Sequence, residues 1–212
     1  MDCELTWCLI ETFIMPTGSN SPSFFSGGIL KLYFHSFKMT VRNMMQMLVW
    51  KFADKPYKKI EYRKIKPIAL ALHRQMYTAF AEGDLRTVRK TCADGLTESF
   101  MKRIQARPRG ETMSWELVKY NGFTKLMSYR AAKLPIDGAG IRQAVMRINS
   151  TQRLTRFRNG VQVEGTGKEK QVREYVVIQR NQWRGKEDEW VVWGTTEETT
   201  LAMLEAERAK LE

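Results

Sequence analysis

KPIALALHRQMYTAFAEGDLRTVRKTCADGLTESFMKRIQAR, residues 66–107, reads as three helices with almost no linker between them. Ile68, Ala69, Leu72, Met76, Ala79 and Phe80 repeat at helical spacing and give the first helix an apolar stripe. Gly83 suits a left-handed C-cap, and Asp84 is placed to cap the next helix. That helix is short, with Leu85, Val88 and Cys92 on one face, and Asp94-Gly95 breaks it. Leu96, Phe100, Met101 and Ile104 carry the third helix, which must stop before Pro108.

Four extended stretches follow. Residues 114–134 hold Trp115, Leu117, Val118, Tyr120, Phe123, Leu126, Met127 and Tyr129, with Asn121-Gly122 as a bulge or bend. Residues 141–157 alternate in polarity and end at Asn159-Gly160, a strong hairpin signal. Residues 170–183 and 189–195 contain Tyr175-Val-Val-Ile and Trp190-Val-Val-Trp193, joined by a tight polar link at 184–188. Links this short make the strands antiparallel. Helices followed by an antiparallel sheet define an α+β domain. A sheet of such long strands must bend, and helices on its concave face are expected to leave a cone with an apolar pocket.

Upstream of this unit, residues 1–38 show no consistent period, and 16–28, rich in Ser, Gly and Pro, read as a loop or disordered segment. Residues 1–41 contain Asp2, Glu4, Glu11, Lys31 and Lys38 but no arginine. A mitochondrial presequence is Arg-rich and poor in acids, and a secretory signal opens with positive charge. A translation start at Met39 is one alternative. From Met39 the character changes. Val41, Met44, Met45, Leu48 and Phe52 share a helical face, with Val49 and Trp50 beside it. Lys51, Lys55, Lys58, Lys59, Arg63, Lys64 and Lys66 then crowd the chain, opposed only by Asp54 and Glu61. An apolar stripe followed by a basic run fits an interfacial helix on anionic lipid or an arm on nucleic acid. It fits equally a helix that packs the stripe on its own domain. Residues 199–212 form a charged helix with Leu201, Leu204 and Leu211. The resulting divisions are 1–38, a poorly structured segment; 39–65, an amphipathic and basic arm; 66–196, the α+β domain; and 197–212, the C-terminal helix.

With 212 residues the chain has room for one domain plus extensions, and no run of about 18 apolar residues suggests a spanning helix. A formal net charge of +12 points to a polyanionic partner. Cys3, Cys8 and Cys92 are too few for a disulfide framework and lack zinc-site spacing, which suits a reducing compartment. His35 and His73 lie in different segments and assemble no nucleophile–base set, and His73 reads as a surface or rim residue. Gly160 and Gly165 have phosphate-loop spacing, but Thr166 stands where lysine is required. The carboxylate pairs Glu187/Asp188 and Glu197/Glu198 fall in turns or tails. The chain is therefore expected to be no enzyme, with no cofactor, no metal and no small-molecule substrate. Positive charge instead recurs at Arg86, Arg89 and Lys90; at Lys102, Arg103, Arg107 and Arg109; and at Arg153, Arg156 and Arg158, with Lys168 and Lys170 returning from the hairpin. Arginines on loops and helix ends suit phosphate contacts in folded RNA. The expected RNA-binding set is Lys51, Lys55, Lys58, Lys59, Arg63, Lys64, Lys66, Arg153, Arg156 and Arg158. The expected membrane or partner contact is Met44, Met45, Leu48 and Phe52.

The pattern Met76-Tyr77-x-Ala79-Phe80-Ala81-Glu82-Gly83-Asp84-Leu85-x-x-Val88-x-x-x-Cys92 resembles the opening of the translocase-of-inner-membrane subunit 44-like domain. Thr151-Gln152-Arg153-Leu154-Thr155 and the closing Trp190-Val-Val-Trp193 resemble it too, so the likeness covers about residues 66–196. The resemblance implies a nuclear-transport-factor-2-like cone, three helices on a curved four-stranded sheet, here behind an N-terminal extension. It also implies a place in the mitochondrial matrix, peripheral to the inner membrane. Two roles occur in that family. One is a structural protein of the mitochondrial large ribosomal subunit, as in the ribosomal protein 45 branch and its membrane-bound ribosome-receptor relatives. Such a protein binds ribosomal RNA and neighbouring proteins near the peptide exit and tethers the ribosome to the inner membrane or its insertion machinery. The other is an import-motor adaptor that recruits matrix chaperone. The basic charge, the basic arm directly before the domain and the lack of a charged coiled segment favour the ribosomal role. A small-molecule-binding or enzymatic cone is a third reading, since such folds host those sites elsewhere.

Overall fold

The computed structural model describes residues 13–17, 27–53 and 57–209. Among the described residues five helices and seven strands follow in the order α1 (Gly27–Phe52), α2 (Tyr62–Glu82), α3 (Leu85–Thr91), α4 (Asp94–Gln105), β1 (Glu111–Tyr120), β2 (Lys125–Lys133), β3 (Gly140–Arg158), β4 (Val161–Gln162), β5 (Glu169–Trp183), β6 (Lys186–Glu187), β7 (Val191–Thr196) and α5 (Leu201–Ala209).

The helical block forms as its punctuation dictates. In α2, Ile65, Ala69, His73, Met76 and Ala79 are buried at three- and four-residue intervals. Ile65 belongs to that stripe, so the helix starts four residues before Lys66, with Pro67 inside it. Gly83 closes it at φ 77°, and the Asp84 carboxylate accepts from the Arg86 and Thr87 amides at 3.0 and 3.1 Å, capping α3. The break before α4 comes at Cys92–Ala93 rather than at Asp94-Gly95. There the Ala93 amide donates to the Val192 carbonyl at 2.8 Å, tying the interhelix link to β7.

All seven strands make one antiparallel sheet rather than a four-stranded one. Residues 114–134 are not one bent strand. The chain turns over Asn121–Thr124, so β1 pairs with the second half of β3 and β2 with its first half. The hairpin tips add the two short strands β4 and β6. Because side chains alternate along β3, its even-numbered residues Ala144, Met146 and Ile148 meet the α2–α4 layer. Val145 faces the other way, with Tyr175, Val177 and Ile14. That second face is covered where residues 13–17 meet the segment after β7: the Ile14 amide donates to Thr199 Oγ1 at 3.0 Å, and the Thr199 amide to the Ile14 carbonyl at 2.9 Å.

Where an apolar cone pocket was expected, the space between helices and sheet holds Met76, Phe100, Met146, Val176, Ile178 and Val192 in contact. A cavity of about 170 Å³ lies at the β2–β3 turn, lined by Lys58, Lys133, residues 134–139 and Gln182.

The helix α1 starts well before Met39. Its buried residues Ile29, Leu32, Met39, Met47 and Trp50 fall on one face from the first turn to the last. It runs along the edge strand β2, where Asn43 Nδ2 donates to Ser128 Oγ at 3.1 Å. An exposed strand edge invites pairing with other chains, and α1 covers this one. Gly140 forms the notch for Trp50: a Cβ there would stand 2.3 Å from the indole ring.

Candidate functional site

The strand β3 has 19 residues, at most about 60 Å of extended chain. It separates two basic regions. At its C-terminal end, Arg156 and Arg158 lie on the even face, toward the helices, and both are exposed. The last turn of α4 brings Lys102 and Arg103, and strand register places Glu111 beside Arg158. Arg107 donates to the Ala81 and Phe80 carbonyls at 2.9 and 2.5 Å, closing the C-terminus of α2. Arg103 and Arg107 both lie over the Phe80 ring, at 5.0 and 4.9 Å. Burial first, and then the neighbouring Arg103 and Arg156 charges, depress the Arg107 pKa against the opposing effect of Glu111. Like charges held this close favour an incoming anion.

Arg153, expected among the RNA contacts, points to the opposite face. It forms ion pairs with Glu116 at 3.0 Å and Glu169 at 2.7 Å, which balance its charge across three strands. Register alone creates these pairs, since neither acid is near it in sequence.

The second basic region gathers at the other end of β3. Lys58 stacks on Trp50 at 3.9 Å, and Lys51 lies over Phe52 at 5.0 Å. Lys64 pairs with Glu61 at 2.5 Å. Lys59, Arg63 and Lys66 are exposed around the start of α2. Lys55 lies outside the described residues. Apart from Arg153 and the undescribed Lys55, the residues expected to bind RNA thus fall into two separate groups, with α2 spanning the distance between them.

Between the groups, His73 is fully buried rather than at the rim. Its Nε2 lies 3.0 Å from Glu174 Oε2, and because an ionised carboxylate only accepts, Nε2–H donates. Tyr77 Oη donates to Glu174 Oε1. Gln152 Nε2 donates to Oε2 at 2.8 Å, and Trp115 Nε1 donates to Gln152 Oε1 at 3.0 Å. No signal near His73 announced this partner, which lies 101 residues away. The network fastens α2 to β1, β3 and β5. Burial alone would raise the Glu174 pKa, but the hydrogen bonds from His73, Tyr77 and Gln152 outweigh it and hold the carboxyl below its ordinary value of 4.5. A depressed carboxyl pKa contributes stability that is present above the ordinary value and lost as pH falls through the lower, folded one. Glu174→Gln should cost about 2 kcal/mol at neutral pH and flatten the decline of stability below pH 4.5. Urea unfolding midpoints across pH 3–7 test this, and an unchanged acid decline would refute it. Cys92 is buried too, and burial pushes its thiol up to about 12, the environment of an inert core cysteine.

The four expected membrane or partner contacts, Met44, Met45, Leu48 and Phe52, are all exposed on α1. They belong to the C-terminal part of a longer face. Leu30, Tyr33, Phe34, Phe37 and Val41 continue it upstream, with Phe34 and Phe37 at 69% and 68% exposure. Their three- and four-residue spacing was the available signal, hidden behind the Ser/Gly/Pro-rich run before it. Among the described residues no helix is long and apolar enough to cross a membrane, and no group of His, Cys, Asp and Glu could hold a metal ion.

A family model described as MBA1-like protein matches residues 7–209. No curated protein matches the chain.

Proposed function

The chain belongs to the MBA1-like protein family, which is mitochondrial and membrane-associated and suggests ribosome binding; on that footing we propose that it is a non-catalytic component bound to the mitochondrial large ribosomal subunit, contacting ribosomal RNA near the peptide exit and tethering the ribosome to the inner membrane from the matrix side. The observation that carries this reading is the arginine cluster where α4, β1 and β3 meet, with Arg103, Arg107 and Arg156 crowded and Arg158 beside them. Guanidinium groups on a rigid sheet end suit bidentate contacts to phosphate. The exposed Lys59, Arg63 and Lys66 supply a second contact at the far end of the domain. The finer kinship, a subunit 44-like domain built as a nuclear-transport-factor-2-like cone, belongs to this proposal. Its support is that the motif from Met76 to Cys92 covers the α2–α3 junction, where Gly83 and Asp84 act as caps.

Large subunits separated from small ones by magnesium chelation should retain the protein on a sucrose gradient. Arg103→Gln, Arg156→Gln and Arg158→Gln combined should weaken binding to purified large subunits. They should also reduce the salt slope of log K by roughly 0.7–0.9 per lost phosphate contact. An unchanged slope refutes the RNA contact. A protein that leaves the subunit and sediments with matrix chaperone instead is an import-motor adaptor.

A further inference from the structure

We infer that the outward face of α1 lies directly on an anionic lipid bilayer, with the helix axis parallel to the surface. This rests on the membrane reading above and deepens it, because it assigns the contact to one face of one helix and to lipid rather than protein.

α1 has 26 residues, so it is about 39 Å long. One face is already used, since Ile29, Leu32, Met39, Met47 and Trp50 are buried. On the opposite side Leu30, Phe34, Phe37, Val41, Met45 and Leu48 stand exposed, a ridge running nearly the whole length. Single exposed apolar residues need no explanation, but a continuous ridge of large ones marks a contact surface.

The chemistry of the ridge points to lipid. It is convex and linear, the shape that sinks into a fluid interface rather than the groove that receives a peptide. Residues 27–52 contain no Asp or Glu. The exposed Lys31 and Lys38, seven residues apart, line one border of the ridge, placing cations where anionic headgroups would sit. Because the other face grips β2, the helix cannot insert end-on without abandoning its core. It therefore lies flat, with Phe34 and Phe37 reaching about 5–10 Å into the headgroup–acyl boundary.

The test is flotation of the purified full chain with phosphatidylcholine vesicles, with and without about a quarter phosphatidylglycerol, in the absence of ribosomes. The chain should float with the anionic vesicles and much less with the neutral ones. Phe34→Glu with Phe37→Glu should reduce flotation more than tenfold while leaving the circular dichroism spectrum and urea midpoint unchanged. Met45→Glu with Phe52→Glu should do the same from the other half of the helix. Lys31→Gln and Lys38→Gln should each cost about fivefold on anionic vesicles only. Absence of flotation, or flotation that both glutamate pairs leave intact, overturns the inference. So does a wild-type dimer in light scattering that the glutamate pairs disperse without any vesicle binding. The glutamate pairs should still bind detergent-solubilised large subunits. If the wild-type chain floats but binds no subunit, the ribosomal reading fails while the lipid contact stands.

Discussion

Glu187→Ala is expected to destabilise the protein by about 3 kcal/mol, lowering the melting temperature by roughly 6–12 °C. Glu187 sits on β6, a two-residue strand that looks dispensable. Its Oε1 lies 2.5 Å from Arg142 Nη2, and its Oε2 lies 2.9 Å from Arg180 Nη1. Arg142 is the reason for the large effect. It stands on β3 with its side chain only 3% exposed, donates to Tyr129 Oη at 3.3 Å and lies 5.6 Å from the Trp190 ring. Truncating Glu187 leaves a buried guanidinium without its ion-pair partner, with only the weaker field of Glu61 remaining, which is more costly than losing an exposed ion pair. The same argument predicts that Arg142→Met in the Glu187→Ala background recovers part of the loss, because the charge that suffers is gone. Chemical denaturation of the two single variants and the double variant measures the coupling. Purely additive losses would show that the pair is not coupled.

The helical block was legible because its signals are local. Gly83 and Asp84 punctuate α2 and α3 within two residues, and the apolar periods of α2 and α4 repeat within one element. What required the fold was everything set by pairing over distance. Residues 114–134 read as one bent stretch because Asn121-Gly122 is compatible with either a bulge or a turn. Only the length of β3, which offers room for two partners on one edge, decides for a turn. His73 read as a rim residue because its stabilising partner, Glu174, is on β5. Arg153 read as a phosphate ligand because nothing beside it in sequence is acidic, and strand register then supplies Glu116 and Glu169. In α1 the reason differs. A helix with apolar residues on both the buried and the exposed face has a weak amphipathic signature, so its first three turns did not stand out from the Ser-, Gly- and Pro-rich sequence before them. The candidate interfaces were therefore recoverable from the sequence as residue types. Their division into two basic ends and one apolar ridge was not.

The other large effect is expected at Trp50, the residue that holds α1 against the sheet. Trp50→Ala should cost about 3–5 kcal/mol, and the loss should be concentrated in one element. The indole is 2% exposed and fills the space left by Gly140, while Lys58 covers it at 3.9 Å. Its neighbours in the core are backbone and sheet residues that cannot collapse into the gap, so the cavity penalty adds to the lost burial. Hydrogen exchange read by mass spectrometry should show faster deuterium uptake in α1 and along β2, with α2 and β5 protected until global unfolding. Trp50→Phe separates shape from polarity. The Trp50 Nε1–H is buried without an acceptor, so phenylalanine removes an unsatisfied donor together with part of the ring, and the two changes oppose each other. Its cost should be well below that of alanine, about 1 kcal/mol or less. If Trp50→Ala leaves α1 as protected as in the wild type, the anchor lies elsewhere along Leu32, Met39 and Met47. If α1 alone loosens, a single indole in a glycine notch determines whether the apolar ridge is held rigid on the domain that carries the arginine cluster.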